Sequence, residues 1–128
     1  MQSKSNQPFS IKKRISSFKY AFNGLKMLIK EEHNAKVHVI ASIIVICLGV
    51  FCKISIKNWV LVFMAIALVF ITELINSSIE RIVDEISHEI KPQLGKIKDM
   101  SAAAVLVAAI VSIVIGGYVF IPYIIRLL

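Results

Sequence analysis

Glu73-Leu-Ile-Asn76-Ser-Ser-Ile-Glu80-Arg-Ile-Val-Asp84 follows an uninterrupted apolar run from Trp59 to Ile71. At about 100° per residue, positions 73, 76, 80 and 84 fall within roughly 80° of one another on a helix. The stretch therefore reads as one acidic stripe on a greasy helix. A helix end emerging into water accounts for Asp84 and Glu80 but not for Glu73. From Trp59 to Glu73 the helix rises about 21 Å at 1.5 Å per residue, against a hydrocarbon core of about 30 Å. Glu73 thus belongs inside the membrane near its far face, and Glu80 lies about 10 Å further on, at headgroup level. Ionisable groups at such depth are costly and mark functional sites facing a bundle interior.

The rest of the composition fits a membrane chain. Of 128 residues, 57% are hydrophobic, and the mean hydropathy is +0.77. The net charge of +7 is explained by anionic lipid headgroups, and no nucleic-acid partner is expected. Cys47 and Cys52 lie in or beside an apolar segment with no metal-binding spacing, which suits packing. The first ten residues are polar, so no signal peptide is expected there.

The expected fold is all-α, one membrane-embedded domain over residues 1–128. An amphipathic surface helix is predicted at 10–30, with spanning helices at 35–52, 58–86 and 99–122. In the first, Ile11, Ile15, Phe18, Phe22, Leu25 and Ile29 share one face, and basic residues flank it. That pattern suits a helix lying in the headgroup layer. Trp59 anchors the second span at the interface. Pro92 and Gly95 mark a loop between 88 and 98, and Asp99 suits the positive N-terminus of the third span. Ala104, Ala108, Ser112 and Gly116 form a small-residue face for close helix packing. His33 and His38 read as interfacial caps.

Twelve of the fifteen Lys and Arg residues fall on one side of this topology, which places the N-terminus in the cytoplasm. Glu32, Glu80, Asp84, Lys98 and Asp99 then face the compartment that holds ATP. Carboxylates plus a lysine at that face suit metal-assisted phosphoryl transfer, with Mg²⁺ as the hard cation. No Gly-rich phosphate loop and no familiar kinase motif is present.

The block Glu73 to Asp84, together with Lys98-Asp-Met-Ser-Ala-Ala-Ala-Val-Leu106, resembles the two signature blocks of the small prokaryotic diacylglycerol kinase family. These are integral membrane lipid kinases unrelated to soluble kinases. The resemblance runs from about Lys13 to Ile121. Glu32-x-Asn34-x-Lys36-x-His38 is similar to a further block of the Gram-positive branch, whose members are mostly undecaprenol kinases.

The resemblance implies a homotrimer in the bacterial cell membrane that uses MgATP to phosphorylate a lipid alcohol, undecaprenol first and diacylglycerol as the alternative. It further implies Glu73 as general base with Asn76 beside it, and Glu32 and Glu80 as ligands of the metal on ATP. Lys98 and Asp99 match nucleotide-binding residues, as do Lys13 and Tyr20 on the surface helix. Glu89, Ile90 and Lys91 fall where a loop closes over the nucleotide. Lys13 and Lys36 stand where arginine is common, Ser78 where alanine is usual, and the 88–95 loop matches loosely. Two other classes fit the sequence less well. A small multidrug-type transporter should have four spans with its key carboxylate in the first. A subunit without chemistry leaves Glu73, Lys98 and Asp99 without a purpose.

Overall fold

The computed structural model describes residues 8–128. Residues 1–7, which carry Lys4 and most of the polar leader, lie outside the described residues. Four helices follow in order: α1 (Ile11–Glu31), α2 (His33–Cys52), α3 (Ile56–Ile86) and α4 (Pro92–Leu127). No strand occurs among the described residues. The last three are long and apolar enough to cross a membrane, as the hydropathy predicts.

Each boundary has a local cause. Ser10 caps α1, its side chain accepting from the Lys13 amide at 3.4 Å. A single extended residue, Glu32 (φ −95°, ψ 123°), separates α1 from α2. The break between surface helix and first span is therefore one residue, not the short linker expected at 31–34. α2 ends at Lys53, which adopts the left-handed conformation (φ 52°). The Ile54 amide donates to the Gly49 carbonyl at 3.2 Å, closing the helix in the manner of a Schellman turn. Ser55 then caps α3, accepting from the Asn58 amide at 3.3 Å.

The largest departure from expectation is at the start of α4. Pro92 and Gly95 do not hold a loop open. Pro92 occupies the first turn, where its missing N–H is harmless and its fixed φ is already helical. Gly95 donates to the Lys91 carbonyl at 3.0 Å. The connection shrinks to 87–91, and Asp99 lies two turns inside the helix, away from the N-terminal dipole that was expected to favour it.

α3 and α4 pack antiparallel along most of their length, with α2 against α3 and α1 touching both α2 and α3 through its last turns. The buried line of α3 is Val62, Ala65, Val69, Glu73, Asn76, Ser77 and Val83, one helical face. Ala108 is buried, and Ser112 Oγ donates to the Ala65 carbonyl at 3.1 Å. The small-residue face thus brings backbones together at those two positions. It is open at Ala104, which is exposed, and at Gly116, where an added Cβ would meet nothing.

At the end remote from the acidic stripe, Ile54, Val62, Val119 and Phe120 form the apolar core. Tyr123 Oη accepts there from the Ser55 amide and from Asn58 Nδ2, both at 3.4 Å. Most other apolar surface faces outward. Even in α3 only 33% of the most apolar stretch is buried. The α1 stripe Ile11, Ile15, Phe18 and Phe22 is exposed along its length, as a helix in the headgroup layer requires.

Gly49 is needed for a steric reason. A Cβ there would sit 2.7 Å from Trp59 Cη2 and 3.2 Å from Ile54 Cδ1. Gly49→Ala is expected to destabilise the fold by about 1–3 kcal/mol through overpacking. Gly116→Ala should be neutral or stabilising, because helix propensity then acts unopposed. Thermal unfolding of both variants in detergent micelles checks this; equal midpoints would show that the Gly49–Trp59 contact is not limiting.

Candidate active site

The α3 stripe is graded by depth. Glu73 is 2% exposed and Asn76 6%, whereas Glu80 is half-buried and Asp84 exposed. A fully buried carboxylate in a membrane helix needs a partner, and α2 supplies one. His38 Nε2 lies 3.3 Å from Glu73 Oε1. The contact is within ion-pair range, yet Oε1 receives no aligned hydrogen bond among the described residues. His38 is therefore not the interfacial cap expected from its position. It stands one turn deeper than Asn34, and helix packing turns it onto the acidic stripe.

A polar ladder continues from α3 to α4. Asn76 Nδ2 donates to Glu80 Oε1 at 3.2 Å. Ser101 Oγ donates to Asn76 Oδ1 at 2.7 Å, with the Lys98 carbonyl as alternative acceptor at 2.9 Å. These bonds fix both ends of the Asn76 amide and orient the Glu80 carboxylate. Ser101 belongs to the second signature block but was given no role on sequence grounds. Nothing in a lone serine among alanines signals a partner 25 residues away.

Two ion pairs close the polar end. Lys98 Nζ donates to Asp84 Oδ1 at 2.9 Å, so the two signature blocks meet directly. Arg81 Nη2 donates to Glu31 Oε2 at 2.8 Å and to Glu32 Oε1 at 3.1 Å. That contact ties the end of the surface helix to α3. The structure thus gathers Glu32, Glu73, Asn76, Glu80, Asp84 and Lys98 at one end of the bundle.

A cleft of about 330 Å³ adjoins this end, lined in part by Asp84, Ser87, Glu89, Ile90, Lys91 and Lys98. Glu89 donates its amide to Ser87 Oγ at 3.2 Å, which shapes the α3–α4 turn. No α1 residue lines the cleft. Lys13 and Tyr20, expected at the nucleotide, are exposed on the first turns of α1, and Asp99 is exposed on α4.

Three spanning-length helices around a buried carboxylate, with lysine and further carboxylates at one end, define a polytopic membrane protein built for chemistry at the lipid–water boundary. The sequence profile of the prokaryotic diacylglycerol kinase family matches residues 19–120, and the chain belongs to that family. It is similar to an undecaprenol kinase of Bacillus subtilis, 35% identical over 83% of this chain and 86% of the relative. A diacylglycerol kinase of Haemophilus influenzae is 36% identical over 83% of this chain and 91% of its own length. That of Escherichia coli K12 is 32% identical over 74% and 78%. The protein is a lipid kinase of the bacterial membrane.

Ser101→Ala would leave the buried Asn76 oxygen without its donor. It is expected to cost about 1–3 kcal/mol, seen as a lowered unfolding midpoint in micelles. Ser78→Ala removes only a bond to the Leu74 carbonyl on an exposed face and serves as the reference. Equal behaviour of the two variants would show that the ladder does not hold α3 to α4.

Proposed function

We propose that the chain transfers the γ-phosphoryl group of ATP to the hydroxyl of a membrane lipid alcohol, undecaprenol ahead of diacylglycerol, with Glu73 as general base. The observation that carries this is the Glu73 carboxylate, buried in a spanning helix with one oxygen that accepts no aligned hydrogen bond. A lipid hydroxyl donating to that oxygen gives the buried acceptor the bond it lacks. The same bond positions the alcohol for attack as its proton moves to the carboxylate.

Glu32 and Glu80 are the ligands we assign to Mg²⁺. Among the described residues no group of three His, Cys, Asp or Glu side chains is placed to hold a metal alone. Mg²⁺ does not need one, because it takes one or two carboxylates and completes its shell with phosphates and water. Hard carboxylate oxygens fit it, and when bound it would neutralise phosphate charge. Arg81 now engages Glu32 and would have to yield there.

Lys98 is assigned to the phosphates, exchanging its contact with Asp84, and its fixed charge offsets the charge developing on the transferred group. Asn76 holds Glu80 in place. Asp99, and the turn Glu89 to Lys91, are assigned to the nucleotide at the cleft. Lys13 and Tyr20, which lie on α1 away from the cleft, are assigned to the nucleotide on the family resemblance alone. The active unit is a homotrimer in the cell membrane, with its N-terminus and site cytoplasmic. That orientation is supported by the basic residues: apart from Lys53, Lys57 and Arg126, all of them in the described chain belong to the acidic-stripe side of the topology.

Undecaprenol is favoured by the block Glu32-x-Asn34-x-Lys36-x-His38 and by the name of the Bacillus relative. The diacylglycerol reading is favoured by the names of the other two relatives. Both lipids offer a hydroxyl at headgroup depth, so the stripe accepts either. Glu73→Gln keeps the shape of the side chain and removes its basicity. It should lower kcat by about 10²–10⁴, the scale of a lost general base, with the ATP KM held. Near-parental turnover would remove Glu73 from that role. Competition between undecaprenol and diacylglycerol at equal surface fraction, with labelled ATP, gives the ratio of kcat/KM. A ratio above one for undecaprenol is expected; the opposite ratio overturns the substrate and leaves the chemistry standing.

A further inference from the structure

Burial gives Glu73 a second task. A base that is 2% exposed must return each proton it takes to solvent, and its surroundings offer few exits. Asn76 is committed at both ends, to Ser101 and to Glu80. The Thr72 hydroxyl donates to the Leu68 and Val69 carbonyls of its own helix, at 3.0 and 2.9 Å. The other carboxylates at this end are Glu32 at the α1–α2 junction, held by Arg81, and Glu80 on α3 itself, held by Asn76. On α4 the nearby charge is Lys98, held by Asp84.

His38 on α2 remains. Its Nε2 is 3.3 Å from Glu73 Oε1, and its side chain is 22% exposed against 2% for the carboxylate. Its ring also lines a largely apolar cleft of about 330 Å³ between α2, α3 and α4, along with Ser42, Val69 and Ser112. It therefore touches the buried acid and is itself the more exposed of the two.

We propose that His38 is a positioning residue that shares one proton with Glu73 and carries it out after each turnover. The proposal rests on Glu73 being the base. The lipid O–H bond breaks as its oxygen bonds to the γ-phosphorus, and ADP leaves with the electron pair of the broken P–O bond. The alcohol proton goes to Glu73 Oε1. A neutral imidazole carrying its hydrogen on Nδ1 accepts that proton at Nε2. The imidazolium then releases the Nδ1 proton to water. One proton enters from the alcohol and one leaves, and both side chains are ready again once the ring changes tautomer. Imidazole suits this step because its two nitrogens exchange donor and acceptor roles near neutral pH.

The test uses the full chain in mixed micelles with a lipid alcohol and MgATP. His38→Ala should lower kcat on the order of 10²-fold, the lower end of the scale for a lost proton-transfer group, with the ATP KM unchanged. Imidazoles of graded basicity added to the buffer should restore turnover, faster for the more basic members at equal concentration of free base. Parental turnover, no rescue, or rescue that ignores basicity would each overturn the relay, the last by showing a ring that merely fills space. If His38→Ala does not fold, His38→Gln keeps the bulk and a donor. It is expected to lose kcat equally, and full activity there would overturn the proposal. Glu73→Gln is assayed alongside and should show the loss of about 10²–10⁴ in kcat given above, with no rescue by imidazole. Should it turn over normally, the base reading fails and the relay with it. Should it show that loss while His38→Ala is unimpaired, only the relay fails.

Discussion

A single constraint organises this structure: a carboxylate, Glu73, is held inside a membrane-spanning helix with almost no exposure. Placing such a group in hydrocarbon costs several kcal/mol or more unless protein surrounds it. The buried face of α3 is consequently the one that carries Glu73, Asn76 and Ser77, and α2 and α4 cover it. His38 comes from one side and Ser101 from the other. The remaining faces of all three helices are apolar and largely exposed.

Helices in lipid gain little from burying apolar surface against one another, so close approach and hydrogen bonds must hold them. The two ends of the bundle solve this differently. At the end remote from the site, Trp59 seats on Gly49, and Tyr123 accepts bonds from the α2–α3 turn. Those contacts are specific and lie apart from the acidic stripe. At the site end the helices are joined by Lys98–Asp84 and by Arg81 bridging Glu31 and Glu32. These pairs are partly exposed, so each is individually weak. They join the residues proposed above for metal and phosphate, and weak pairs would suit the exchange that proposal requires.

Much of this was legible in the sequence. Hydropathy and length gave the three spans, and 3.6-residue periodicity gave the surface helix and the acidic stripe on a single α3 face. The paired blocks around Glu73 and Lys98 pointed to the family, because their residues are local in sequence. Local chemistry also misled. Pro92 and Gly95 read as a loop, although a proline in the first turn starts a helix as well as it breaks one. Asp99 was assigned to a helix N-terminus that lies two turns earlier. The small-residue face from Ala104 to Gly116 indicated close approach at four positions and provides it at two.

The sequence by itself determined the helices, their membrane character, the order of carboxylates along α3 and the kinship of the chain. Each of these depends on spacing within one segment. Only the tertiary structure decided what Glu73 touches. His38 is 35 residues earlier and Ser101 is 25 residues beyond Asn76, and no periodicity links positions on different helices. Their meeting follows from the rotation and depth of each helix, and between α3 and α4 the close approach is at Ala65, Ala108 and Ser112. Arg81 shows the same limit. Its sequence neighbours identify it as a basic residue near a membrane face, but its bridge to Glu31 and Glu32 exists because a one-residue break at Glu32 folds α1 back toward α3.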